Sequence, residues 1–221
     1  MKPAANEIVT PPPVSHSMSP VWRYLWYPIL RVVILIVTIV VGPPWVHGWK
    51  RVPRKGGLLI LPNHLADFDP ILIQTMCRRR IRFMGKSELF KMRVLGPLLR
   101  WAGAFPVKRG EPDRDALKKA VRLLKAGEAV CVFPEGQLSE DGKLQDLKPG
   151  VGLIAKMADV PVICCGIRNT SRVIPYGQLM PRPGFRVLPV NWGEAKQFPK
   201  EATIEEIIAW TEGELRELTG Q

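Results

Sequence analysis

Short apolar runs alternate with amphipathic stretches along the chain from Gly57 onward. The runs LLIL (58–61), GAFPV (103–107), AVCVF (129–133), PVICCGI (161–167) and FRVLPV (185–190) predict strands. Most of them are apolar on both faces, the pattern of strands covered from both sides. The intervening stretches predict helices over 70–79, 114–126, 150–158 and 203–218. Strand and helix alternating at this spacing predict an α/β domain with a mixed, mostly parallel central sheet flanked by helices. No internal repeat is visible.

The pattern differs at the N-terminus. Residues 1–20 are rich in Pro, Ser and small residues, too poor in apolar surface to offset the entropy of ordering, and are expected to form a flexible tail. From Tyr24 to Val46 the only charge is Arg31, and Trp22, Tyr24, Trp26, Tyr27, Trp45 and Trp49 cluster at the ends. Such a segment fits a membrane anchor, either spanning or lying partly in one leaflet, and a buried helix of a soluble domain would share its composition. A signal peptide fits poorly, because the segment follows a Pro-rich tail and runs into GPPW without a small-residue cleavage site. Lys50, Arg51, Arg54 and Lys55 follow at once, whereas only Lys2 precedes Arg23; this asymmetry places the following domain on the cytoplasmic side. The expected organisation is a tail (1–20), a membrane anchor (21–49) and one catalytic domain (50–221).

Charge and cysteine usage narrow the partners. With 32 Lys and Arg against 20 Asp and Glu, the net charge of +12 predicts attraction to anionic membranes, nucleic acid or phosphate-bearing ligands. Arg78, Arg79, Arg80 and Arg82, followed by Lys86, Lys91, Arg93, Arg100, Lys108 and Arg109, are interleaved with apolar residues, which favours an anionic lipid surface. A nucleic-acid partner is not expected, since no reading helix or aromatic platform is recognisable. Cys77, Cys131, Cys164 and Cys165 have neither zinc-site spacing nor the density of a disulfide framework, so buried free thiols and no metal are expected.

The candidate chemistry lies at two strand ends. In NHLADFDP (63–70), His64 sits between a strand and a helix opened by Pro70, at the sheet edge where α/β proteins bind ligands. A histidine there can take a proton from a hydroxyl, and a nearby carboxylate can orient the ring and stabilise the imidazolium. Asp69, five residues on, is one candidate for that acid and Asp67 another. Asp69 before Pro70 also reads as a helix N-cap. At the second strand end, VFPEGQLS (132–139), Glu135 and Gly136 would face the same edge. No Gly-x-Ser-x-Gly elbow is present, which argues against a serine hydrolase. GVGLIA (150–155) follows a polar loop instead of a strand, so it reads as a helix start and not a nucleotide fingerprint.

Taken together, NHLADFD, GAFPVKR and FPEG, in that order over residues 57 to about 170, resemble the glycerolphosphate acyltransferase superfamily, the 1-acylglycerol-3-phosphate acyltransferases in particular. The resemblance implies a membrane-bound enzyme without a cofactor. It would move an acyl group from acyl-CoA or acyl carrier protein to the hydroxyl of lysophosphatidic acid. It also implies His64 as general base, Asp69 as its partner, Arg109 as a ligand for the acceptor phosphate, and Glu135 with Gly136 in the acceptor site. Asn63 would order the loop or the developing oxyanion. Two departures stand out: Gln137 and Leu138 replace the family's Thr and basic residue, and Cys164 replaces a Pro in the VPVICC block. The first opens the alternative of another lysolipid, such as a lyso-aminolipid, as acceptor. A non-catalytic membrane-anchored lipid-binding relative is a further alternative, against which the intact His64 and Asp69 speak.

Overall fold

Among the described residues of the computed structural model, a sheet of seven strands flanked by helices on both faces organises the chain. The structure describes residues 29, 32, 35, 36, 38–40, 42–93, 95–108, 113–173, 182 and 186–221. In chain order the elements are β1 (Pro44–His47), β2 (Leu58–Pro62), α1 (Asp69–Met76), β3 (Ile81–Lys86), α2 (Leu95–Ala102), β4 (Phe105–Val107) and α3 (Arg114–Lys125). They continue with β5 (Ala129–Cys131), α4 (Pro149–Ala158), β6 (Val162–Ile167), α5 (Thr170–Val173), β7 (Leu188–Trp192) and α6 (Ile204–Thr219).

The strand order is β1-β7-β6-β2-β5-β3-β4. Five of the six neighbouring pairs are parallel and only β6 with β7 is antiparallel, as the alternating pattern predicts. Because β2, β5, β3 and β4 all run the same way, their carboxyl ends share one edge of the sheet. The N-terminal ends of β2, β3 and β5 share the opposite edge with the end of β1, which runs antiparallel to β2.

Period-two alternation sorts the central strand between two cores. Leu58 and Ile60 of β2 join the apolar cluster under α1, with Leu72, Ile73 and Trp192. Leu59 and Leu61 point the other way, toward Leu124 of α3, Ile154 of α4 and Leu215 of α6. All four leucine and isoleucine side chains of β2 are fully buried, which explains why LLIL has no polar position. The four cysteines are free and buried, and burial pushes the thiols of Cys131, Cys164 and Cys165 up. Gly166 lets α6 approach β6, since a Cβ there would stand 2.8 Å from the Leu218 carbonyl oxygen.

Four elements differ from the sequence expectation, among them the short helix α5, Thr170–Val173, which follows β6 where the sequence predicts no helix. Ile81–Lys86 is a strand, although its arginine-rich surroundings suggested only a basic surface. Leu95–Ala102 is a helix. Pro44–His47, the end of the segment read as the anchor, pairs with β7 as an edge strand of the sheet. Most of the expected tail and anchor, 1–28 and part of 30–41, lies outside the described residues. Among the described residues no helix is long and apolar enough to cross a membrane.

Local chemistry sets the helix boundaries. Asp113 caps α3 by accepting from the Ala116 amide at 2.9 Å, and its other oxygen accepts from the Lys108 amide at 2.9 Å. Thr203 and Glu206 form a reciprocal capping box at the start of α6, and Gly220 ends it in the left-handed region. The two amides hold the Asp113 carboxyl below its usual range, with the Lys108 bond the larger cause. A depressed carboxylate stabilises the fold above its unfolded pKa, and this contribution is lost as pH falls through the folded value. Asp113→Ala is therefore expected to cost about 1 kcal/mol at neutral pH. In denaturant titrations the difference from wild type should persist down to roughly pH 4 and vanish below it.

Candidate active site

β2 delivers Asn63 and His64 to the carboxyl edge of the sheet, and its neighbour β5 delivers Phe133 and Glu135 to the same place. His64 Nδ1 lies 3.0 Å from Asp69 Oδ2. The same oxygen accepts from the Leu65 and Ala66 amides at 2.6 and 2.8 Å. A carboxylate can only accept, so Nδ1 carries the proton and Nε2 keeps its lone pair for a substrate. The imidazole stacks on the Phe133 ring, with centroids 3.7 Å apart and planes 21° from parallel. Dyad and stack together leave the ring little freedom to rotate.

Asp69 is thus the partner acid, while Asp67 is exposed. The capping role read from Asp69-Pro70 is corrected. Phe68 is the N-cap of α1 and makes no side-chain cap bond, and Asp69 is the first helical residue. Its carboxylate turns back onto the preceding loop because three donors converge there. Oδ1 is buried and makes no hydrogen bond among the described residues.

Glu135 is buried and holds two loops together. Oε1 accepts from the His64 amide at 2.8 Å and Oε2 from the Gln145 amide at 2.9 Å. The Ser139 amide donates to the His64 carbonyl at 2.8 Å, so the main chain of His64 is gripped on both sides. Burial pushes the Glu135 carboxyl up, and the two amide bonds partly counter it. With both oxygens committed, Glu135 positions His64.

The Asn63 amide is committed in the same way: Nδ2 donates to the Ile167 carbonyl at 3.0 Å and Oδ1 accepts from the Ile167 amide at 2.7 Å. Of the two roles expected for Asn63, this geometry serves the ordering of the loop. Gly136 is exposed in the left-handed region, at φ 73°. The aliphatic stem of Lys148 lies against it, and a Cβ at 136 would stand 3.4 Å from Lys148 Cγ.

Arg109 lies outside the described residues, but β4 ends at Val107 and Lys108 follows, exposed. Lys86, also exposed, ends β3. Neighbouring strands stand about 4.8 Å apart, so from β2 across β5 and β3 to β4 the edge spans about 14 Å. The His64–Asp69 pair stands at one end of that line and the cations Lys86 and Lys108 at the other. Sequence reasoning missed Lys86 and Lys148 as edge cations; the alternation in IRFMGK was the available signal for the first.

Comparisons with known proteins identify the family and the fold. The family model described as Acyltransferase matches residues 44–168. A 1-acyl-sn-glycerol-3-phosphate acyltransferase of Bacillus subtilis is 33% identical over 128 residues, covering 57% of this chain and 63% of that protein. One from Streptococcus pneumoniae is 30% identical over 143 residues, 63% of this chain and 53% of its own length. The matches thus span less than two thirds of these relatives. Among solved structures, the 1-acyl-sn-glycerophosphate acyltransferase PlsC of Thermotoga maritima superposes with a TM-score of 0.69 at 25% identity, over 86% of this chain and 78% of that one.

Replacing Glu135 by Gln leaves one oxygen for two amides and turns an NH2 toward a donor. The variant is expected to lose about 1–3 kcal/mol of stability in urea titrations. The His64 ring resonances should also broaden in NMR spectra, which an unchanged spectrum would contradict.

Proposed function

The chain belongs to the acyltransferase family, and from that premise we propose that it moves an acyl group from a thioester donor to the free hydroxyl of a lysophospholipid. Lysophosphatidic acid is the preferred acceptor and acyl-CoA or acyl carrier protein the donor, with no cofactor, metal or nucleic acid involved. The observation that carries this reading is the His64–Asp69 dyad at the edge where cations also gather.

In this mechanism Nε2 of His64 takes the proton of the acceptor hydroxyl as its oxygen attacks the thioester carbonyl. The carbon–sulfur bond then breaks, and the proton passes from the imidazolium to the leaving thiolate. Asp69 stabilises the imidazolium between the two steps. Arg109, Lys86 and Lys108 hold the phosphate, at a span that a glycerol phosphate and the reach of a basic side chain can bridge. Lys148, beside Gly136, adds a cation next to the position where Leu138 has none. The exposed apolar side chains of Ile29, Val32, Ile36, Ile39 and Val40 support membrane association through the part of the expected anchor that precedes β1, and the basic residues Lys50, Arg51, Arg54 and Lys55 favour the cytoplasmic side for the domain.

His64→Ala should lower acyl transfer by about a hundred- to ten-thousandfold with the thermal midpoint retained. Asp69→Asn is the sharper probe: an amide oxygen in place of Oδ2 keeps all three donors, and the NH2 takes the unbonded Oδ1 position. It should fold and still lose at least about tenfold in kcat, because only the charge is gone. Turnover by His64→Ala close to wild type would remove the catalytic reading.

The neutral pair Gln137 and Leu138 favours, as a second reading, an acceptor without a terminal phosphate, such as a lyso-aminolipid. On lysophosphatidic acid, Arg109→Ala should reduce kcat/KM by tens to hundreds of fold, as expected for charge-assisted bonds of about 1.5–3 kcal/mol each. Leu138→Arg should leave that reaction unchanged or improve it. A mild Arg109→Ala effect, with damage from Leu138→Arg on the uncharged acceptor, would establish the second reading instead.

A further inference from the structure

The edge of the sheet opposite His64 carries a second concentration of positive charge. A cavity of about 470 Å³ there is lined by Val52, Pro53, Arg54, Arg78 and Arg79. An adjoining one of about 420 Å³ shares Val52, Arg54 and Arg78 and adds Trp49 and Lys50. These residues follow β1 or precede β2 and β3, at the N-terminal ends of the parallel strands. His64 follows the carboxyl end of β2, and the five residues of that strand separate the two places by roughly 16 Å.

The cavity is built from fixed parts. Arg79 forms its rigid side: Nη1 donates to the Pro53 carbonyl at 3.0 Å, and Nη2 to the Gly56 and Gly127 carbonyls at 2.7 and 3.0 Å. That guanidinium ties together the loops leading into β2 and β5. Arg78 is held differently, its guanidinium carbon 3.5 Å from the centre of the Trp49 ring. That contact with the ring face leaves its N–H donors without a hydrogen bond to the described residues. Lys50 lies 5.5 Å from the same ring.

Among the described residues, every charged side chain lining the two cavities is a cation. Two carboxylates of this end are paired with other arginines, Glu194 with Arg51 and Glu128 with Arg82. Among the described residues no carboxylate pairs with Arg54 or Arg78. Guanidinium groups gathered around one opening repel each other, and a multiply charged anion removes that repulsion while satisfying their donors. The volume falls within the roughly 300–1,000 Å³ of small-molecule sites, larger than one phosphate requires.

We propose that this cavity is a second binding site, separate from the acceptor site, for a phosphate-bearing anion held by Arg54 and Arg78 with Lys50 beside them. Such an anion has two sources, a soluble polyphosphate compound or a lipid headgroup. The site does not depend on the acyl-transfer reading.

The test uses the full chain in detergent, titrated with inorganic pyrophosphate by calorimetry, and in parallel sedimented with phosphatidylcholine vesicles with or without phosphatidic acid. Arg54→Gln with Arg78→Gln should weaken pyrophosphate binding by at least about tenfold. Lys200→Gln, an exposed cation elsewhere, should leave it unchanged. Thermal midpoints verify folding, and Arg54→Gln alone serves if the double variant is unstable. Loss of pyrophosphate affinity with unchanged vesicle binding identifies a soluble ligand; loss of the phosphatidic-acid-dependent part of vesicle binding identifies a headgroup. If neither pyrophosphate nor vesicle binding distinguishes the arginine variants from Lys200→Gln, the site does not exist.

Discussion

Two buried carboxylates hold the candidate site, and both spend their charge on main-chain amides. Glu135 joins the loop after β5 to the loop after β2 through the amides of Gln145 and His64. Asp69 gathers the amides of Leu65 and Ala66 with the His64 ring. Bonds to an ionised group contribute about 1.5–3 kcal/mol each, enough to hold short loops that have no secondary structure of their own. Burial opposes the charge, as the raised carboxyl of Glu135 shows. The converging amides are what make such burial tolerable.

This arrangement depends on the parallel sheet. Parallel strands end together, so residues distant in sequence emerge side by side: His64 and Glu135 come from adjacent strands, and Lys86 and Lys108 from the two beyond them. A single edge thereby holds the His64–Asp69 pair at one end and positive charge at the other. The opposite edge receives the arginines that follow α1, where Arg79 stitches the strand starts together and Arg78 stacks on Trp49. The net positive charge of the chain is thus divided, in part, between two ends of one sheet.

Much of the fold was legible because burial on both faces leaves a simple trace. Strands such as LLIL and VICCGI contain no polar position, and the amphipathic stretches between them became α1, α3, α4 and α6 with ends shifted by a few residues. β3 was not legible, because it lies near the sheet margin and keeps Arg82 and Lys86 among its apolar residues. β1 was hidden in a longer apolar stretch, where nothing local separates an edge strand from an anchor. At the site, the spacing of His64 and Asp69 pointed to a dyad but left Asp67 and a capping role open, since several loop geometries fit five residues.

The sequence by itself determined which residues must be buried, the alternation that makes the domain α/β, and the presence of a histidine and a carboxylate at one strand end. These are local properties, carried by side-chain type and short spacing. Only the tertiary structure decided that Asp69 turns back to His64, that both oxygens of Glu135 and both ends of the Asn63 amide are consumed by main chain, and that Arg54 and Arg78 share an opening. Those outcomes depend on partners 10 to 104 residues apart in the chain or on the path of a loop. Hydrogen-bond partners of that kind are chosen by where the strands end in space, which no short stretch of sequence records.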